Sequence, residues 1–209
     1  MKKEVFNNEL EKYENKNIRI SAERMLELLP DYFYHIPASS SGKNHPACDQ
    51  GEGGLVRHTK LALAFLESMF DNPTFCNYDS KKKDLIRFAL LIHDGLKSGL
   101  PQEEHTRMDH PVLMANFLLD NKNTLLISDA DIKFVSDLVI SHMGPWNRDR
   151  EGKVIMPVPV TEEQKLVHLC DYVASRKFVD AKFEGYEIVD SNRSLSLNNK
   201  KRSKKWKKE

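Results

Sequence analysis

From Leu85 to Ile92 the chain reads Leu-Ile-Arg-Phe-Ala-Leu-Leu-Ile, a helical stretch that is apolar on nearly every side. A helix of that kind has to be buried all round, so the rest of the chain must wrap it. The run is far shorter than the roughly 20 apolar residues that cross a bilayer, so it reads as a core element and not a membrane span. Apolar residues elsewhere recur mainly at helical spacing, and the fold class expected is all-α, a helical bundle around this central helix.

The helices expected around it are read from the same periodicity and from their start and stop signals. Phe6, Leu10 and Tyr13 mark a short amphipathic helix, and Met25, Leu26 and Leu29 a second that Pro30 stops. A loop rich in Ser, Gly and Pro follows from Pro37 to Gly54, and loops of this length are more often functional than idle. A third helix is expected over 55–70 and the central one over 82–93. A fifth begins near His110-Pro111, where proline suits the first turn. Ser128 with Asp131 opens a sixth that runs to His142 and ends at Gly144-Pro145, and the capping box Thr161-Glu162-Glu163-Gln164 opens a seventh through about Phe178. Four segments result: N-terminal helices at 1–30, a central domain at 31–180, a loosely packed segment at 181–199 and a tail at 200–209.

Charge sets the tail apart. Residues 200–209 hold seven Lys or Arg and one Glu, while the other 199 residues hold 25 basic and 30 acidic side chains. Such a run repels itself and is expected to be disordered, either as a solubilising terminus or as a segment that attracts nucleic acid. Three unpatterned cysteines and no apolar stretch behind the N-terminal lysines predict a cytoplasmic protein with reduced thiols and no membrane partner. Ser41-Gly42-Lys43 is not a phosphate-binding loop, because Pro37 stands where the first glycine is required.

Six polar residues fall at, or at the ends of, core-facing helical stretches: His58, His93, Asp94, His110, His142 and Asp171. Any one alone reads as readily as a hydrogen-bonded core residue. Burying four imidazoles and two carboxylates together without a cation would strand several polar groups, and imidazole with carboxylate is a donor set for divalent ions. Consecutive residues at a helix end diverge by about 100°, so His93 can serve one ion while Asp94 reaches between two.

The series His58, His93-Asp94, His110, His142, Asp171 resembles the signature of the HD-domain superfamily of metal-dependent phosphohydrolases, over about residues 45–178. His45-Pro46-Ala47, Gly53-Gly54-Leu55-Val56-Arg57-His58-Thr59 and Ser141-His142-Met143-Gly144 are similar to segments in the HD domain of bacterial 3′→5′ exoribonucleases, here with no OB-fold sequence in front. The resemblance implies an all-helical bundle with a central metal site and hydrolysis of nucleotide or nucleic-acid phosphoesters. It implies two divalent ions, drawn from Mn, Mg, Zn, Fe, Co or Ni. His58, His93, Asp94 and Asp171 would hold the first, and His110 and His142, with Asp94 between, the second. Gly95-Leu96-Lys97 is similar to the family's continuation of the His-Asp pair with glycine one position early, which maps Lys97 to a phosphate contact. Asp94 and Lys97 are the expected catalytic residues. The expected substrate, a nucleotide or single-stranded nucleic acid, would meet Lys97, His45, Arg57, Trp146, Arg148 and Arg176. His35, His105 and His168 read as structural, with His105 near enough to His110 to substitute for it. A non-catalytic sensor or scaffold on the same fold, and a di-iron oxygenase, are the alternatives.

Overall fold

The computed structural model describes residues 2–40, 42–43, 45–73 and 77–189. A 3-10 turn at Lys2–Phe6 runs into α1 (Asn7–Leu10), followed by α2 (Lys16–Leu28), α3 (Gly54–Phe70), α4 (Ser80–Ile92), α5 (His110–Asp120), α6 (Asp129–Ile140) and α7 (Glu162–Ala174). A two-residue-per-strand antiparallel hairpin, β1 (Phe183–Glu184) and β2 (Glu187–Ile188), closes the described part. The expected tail at 200–209 lies outside the described residues.

As its sequence requires, α4 is central. It packs against α2, α3, α6 and α7, and every residue from Asp84 to Ile92 is buried. Asp79 caps its start by accepting from the Lys82 amide at 2.7 Å, while Asn15 caps α2 through the amides of Asn17 and Ile18. The two charges that α4 carries inward are satisfied where they lie. Asp84 accepts from the amides of Glu14 and Asn15 at 3.0 and 2.7 Å and from Arg87 at 2.8 Å, and Arg87 reaches on to Glu67. Buried charges are tolerated only with such partners.

Three sequence expectations change. The first amphipathic stretch is a 3-10 turn running into a single α turn, although Phe6, Leu10 and Tyr13 are all buried as the periodicity requires. Helix α7 stops at Ala174, short of Phe178. The Ser175 hydroxyl and the Arg176 guanidinium both take the Tyr172 carbonyl, so side chains replace the next helical turn. Of the segment expected to be loose, residues 190–199 lie outside the described residues, while in 181–189 a β hairpin turns at Gly185, whose φ is +61°, and is pinned to α3. The pin is Lys60, whose fully buried ammonium donates to Glu9 at 2.8 Å and Glu187 at 2.7 Å, joining α1, α3 and β2.

Residues 45–54 form the lid of α3. Asp49 ends a short 3-10 turn, its amide donating to the Pro46 carbonyl and its carbonyl accepting from Ala38. Gly53 enters α3 at φ +69°, and a Cβ on Gly54 would stand 2.1 Å from the Asp49 carbonyl oxygen. The double glycine is therefore what lets this loop lie directly against the helix start.

Candidate metal centre

All six residues of the His/Asp series meet in one buried cluster. His58 is in the second turn of α3; His93 ends α4 and Asp94 follows it; His110 opens α5; His142 sits two residues past α6; Asp171 lies within α7. Five separate chain segments are thus brought to one point, a convergence only the tertiary fold can make.

The carboxylate of Asp94 divides the cluster. Its Oδ1 stands 2.9 Å from His110 Nε2 and 3.6 Å from His142 Nε2. Its Oδ2 stands 3.5 Å from His93 Nε2 and 3.9 Å from His58 Nε2. Asp171 Oδ1 closes that second side, 3.0 Å from His58 Nε2 and 3.5 Å from His93 Nε2. One carboxylate thus faces an imidazole pair on each of its oxygens. Three-residue donor groups compact enough for one ion include His58, His93 and Asp94 on one side and Asp94, His110 and His142 on the other.

The chemistry of these donors fits a cation. Three of the histidines place Nδ1 on the backbone carbonyl three residues back: His93 on Leu90 at 2.6 Å, His110 on Arg107 at 2.6 Å and His142 on Val139 at 2.7 Å. A carbonyl can only accept, so Nδ1 carries a proton, and in its neutral form each ring turns an Nε2 lone pair into the centre. Those lone pairs then face other acceptors. His110 Nε2 and His142 Nε2 are 3.2 Å apart, and His93 Nε2 is buried without any hydrogen-bond partner. Lone pairs gathered in this way repel unless positive charge stands among them.

The electrostatics agree. Burial would raise the pKa of Asp94, but Lys97 and the His93 ring outweigh it and hold the carboxyl well below its usual range. Asp171 is likewise held well below the ordinary value against its burial, by His58 and His93. For His58, burial pushes down, yet Asp171 and Asp49 prevail and lift it to about 9. His142, dominated by burial, is lowered. The centre therefore holds two ionised carboxylates and draws in positive charge. Lys97 already supplies some, its ammonium donating to Asp94 Oδ2.

Four imidazoles and Asp94 are sealed from water, whereas the side chains of Asp171, His45 and Lys97 keep 17%, 11% and 11% exposure. These three groups are where a substrate can approach. His45 lies in the 45–54 loop with its ring 4.9 Å from that of His58. Trp146 is half exposed and stacks on Tyr172, the neighbour of Asp171, with ring centroids 5.5 Å apart and planes 12° from parallel. Arg176 lies 4.2 Å above the same Tyr172 ring.

Two expected substrate contacts are placed elsewhere. Arg57 turns away to the Cys48 and Gln50 carbonyls, which no backbone amide among the described residues takes. Arg148 donates to Gly152 across its own exposed turn. Among the remaining histidines, His168 donates Nδ1–H to the His142 carbonyl at 2.7 Å and fills the space that Gly144 leaves, which is a structural task. His105 lines a separate cleft of about 610 Å³ with Glu103, Arg107, Asp149 and others, and does not join the cluster. That cleft contains none of the six.

Asp49 is the residue that sequence reasoning missed. It is fully buried, and its Oδ2 lies 3.3 Å from His58 Nδ1 and 3.4 Å from His45 Nδ1. The spacing His45-x-x-x-Asp49 ahead of the double glycine is a signal only once the loop's turn is known.

The fold and this centre define a class: a helical bundle whose core gathers imidazoles and carboxylates for divalent ions. The family model for the HD domain matches residues 55–176, and the chain belongs to the HD domain family. No curated protein and no solved structure matches the chain at a significant level.

Proposed function

We propose that this protein is a metal-dependent phosphohydrolase acting on a phosphoester of a nucleotide or of single-stranded nucleic acid. Membership of the HD domain family, whose superfamily is one of metal-dependent phosphohydrolases, supports this reading, and the buried His/Asp cluster suits divalent ions. The observation that carries the reading further is the division of Asp94 between two imidazole pairs, a donor set that would hold two ions. His58, His93, Asp94 and Asp171 would hold one, and Asp94, His110 and His142 the other. Bound there, divalent ions supply a water of lowered pKa and Lewis-acid neutralisation of phosphate oxygens.

The chain's own groups do the rest. Asp94 fixes the two halves of the centre in register. Lys97, within reach of Asp94 and partly exposed, offers its ammonium to a non-bridging phosphate oxygen, where charge accumulates in phosphoryl transfer. His45, at the open edge, contacts the substrate and can hold a proton for the departing oxygen. The exposed indole of Trp146 stacks a base, with Arg176 beside it on Tyr172 for a backbone phosphate.

The test is a substrate panel of nucleotides and single-stranded oligonucleotides, each assayed with added Mn, Mg, Co, Ni or Zn. Metal-dependent hydrolysis that disappears in Asp94→Ala is expected. Turnover unchanged in that variant refutes the reading, and an iron-loaded protein that consumes oxygen and hydrolyses nothing points to the oxygenase alternative.

A further inference from the structure

We propose that Asp49 is a positioning residue that holds His58 in the tautomer and orientation of a metal ligand, in the place of the backbone carbonyl that orients each of the other three histidines; the inference rests on the proposed metal centre. His93, His110 and His142 each stand at a helix boundary. Carbonyls in a last helical turn, or in a turn before a helix, have no intrahelical partner to satisfy, and these three rings take them through Nδ1 at 2.6–2.7 Å. His58 has no such choice. It lies inside α3, where the carbonyl three residues back, that of Leu55, already receives the Thr59 hydroxyl at 2.9 Å in addition to its helical bond. His58 Nδ1 makes no hydrogen bond of good geometry, and the acceptor that faces it is Asp49 Oδ2 at 3.3 Å. With Nδ1 turned to Asp49, Nε2 is the atom left for the centre, where Asp171 and Asp94 stand.

The surroundings of Asp49 are built to keep it there. Its side chain is fully buried. Its backbone is held by Ala38 and Pro46, Arg57 ties the carbonyls on both sides of it, and Gly54 lets it approach α3. A carboxylate is a stronger acceptor than a carbonyl and makes the imidazole it faces a more basic ligand, and loss of such a partner typically weakens metal binding about 10–100-fold. His45 faces the same carboxylate, so one buried group ties the approach edge to a metal ligand.

The experiment is titration of Co(II) into metal-free, full-length protein against a competing chelator. It is followed by the visible absorption of the bound ion, with far-UV circular dichroism recorded on every metal-free variant. Wild type is expected to take up two ions. In Asp49→Ala, affinity at one position should fall about 10–100-fold while the other is unchanged, so that one ion is retained under limiting cobalt. Asp49→Asn, which keeps the shape and a neutral acceptor, should fold as wild type and show a smaller loss, carrying the test if the alanine variant does not fold. His45→Gln should bind cobalt as wild type does. Two ions bound with wild-type affinity in both Asp49 variants would overturn the inference while leaving the proposed function standing, as would a loss in His45→Gln equal to that in Asp49→Ala. A wild type that takes up no cobalt would overturn the proposed function and this inference with it.

Discussion

At the scale of single residues, the centre separates groups that would hold metal from groups that would handle phosphate, and substitutions should separate them too. Lys97→Met removes an ammonium that now neutralises Asp94 Oδ2. The variant should keep its full complement of metal yet lose about 10²–10³ in kcat, the cost typical of removing one preorganised donor to a developing oxyanion. Metal analysis alongside kcat checks this, and a parallel loss of metal would make Lys97 a structural residue instead. The six-residue series was readable from the sequence because polar side chains stood at core-facing helical positions, where a helical bundle has no other use for so many. Asp49 was not, since the loop that carries it has no periodicity and its approach to His58 depends on a 3-10 turn and on Gly54. Arg57 shows the same dependence on the folded loop. An arginine next to a buried histidine looks like a phosphate contact, but the carbonyls of the folded loop claim it first.

At the scale of elements, the periodicity placed the helices well and their ends less well. Helices α3, α4 and α6 begin and end, and α5 begins, within two residues of where the apolar pattern and caps put them, whereas α7 was cut short by local side-chain bonds and the hairpin was too brief to show any period. The loop-to-α3 junction should be the most sensitive joint. Gly54→Ala pushes a methyl group into the Asp49 carbonyl, so it should cost about 1–3 kcal/mol of stability and reduce metal uptake, both measured on the same purified variant. The hairpin is held differently, through Lys60 and Glu187. Burial opposes ionisation of Glu187, but Lys60 and Asn8 outweigh it and depress its pKa. A depressed carboxylate stabilises fully above its unfolded value of about 4.3 and loses that contribution as pH falls through the lower folded value. Half-exposed Glu187 contributes below about 1 kcal/mol. Thermal unfolding of Glu187→Gln should therefore be less acid-sensitive than wild type below pH 4.3 and slightly less stable at pH 7. Equal acid sensitivity would show that the pair does not anchor the hairpin.

At the scale of the whole molecule, five segments of the chain converge on one buried His/Asp centre, and the cost of gathering those lone pairs should appear as a dependence of stability on bound metal. An ion present at 100 times its dissociation constant adds about 2.7 kcal/mol. For a chain of this size that corresponds to about 5–11 °C in Tm, so chelation should lower Tm by that order and added Mn(II) or Co(II) restore it. The description all-α followed from the pattern of apolar residues, while the meeting of α3, α4, α5, α6 and α7 at one point followed from the resemblance to a family and not from periodicity, which says which face is buried but not what it faces. The measurement that bears most directly on the central claim is the metal content of the purified protein, taken together with phosphate release and oligonucleotide cleavage under each added ion. About two ions per chain with hydrolysis that depends on them is the expected result. No bound ion and no hydrolysis with any metal would contradict it, leaving the His/Asp cluster a relic of the fold and the protein a sensor or scaffold.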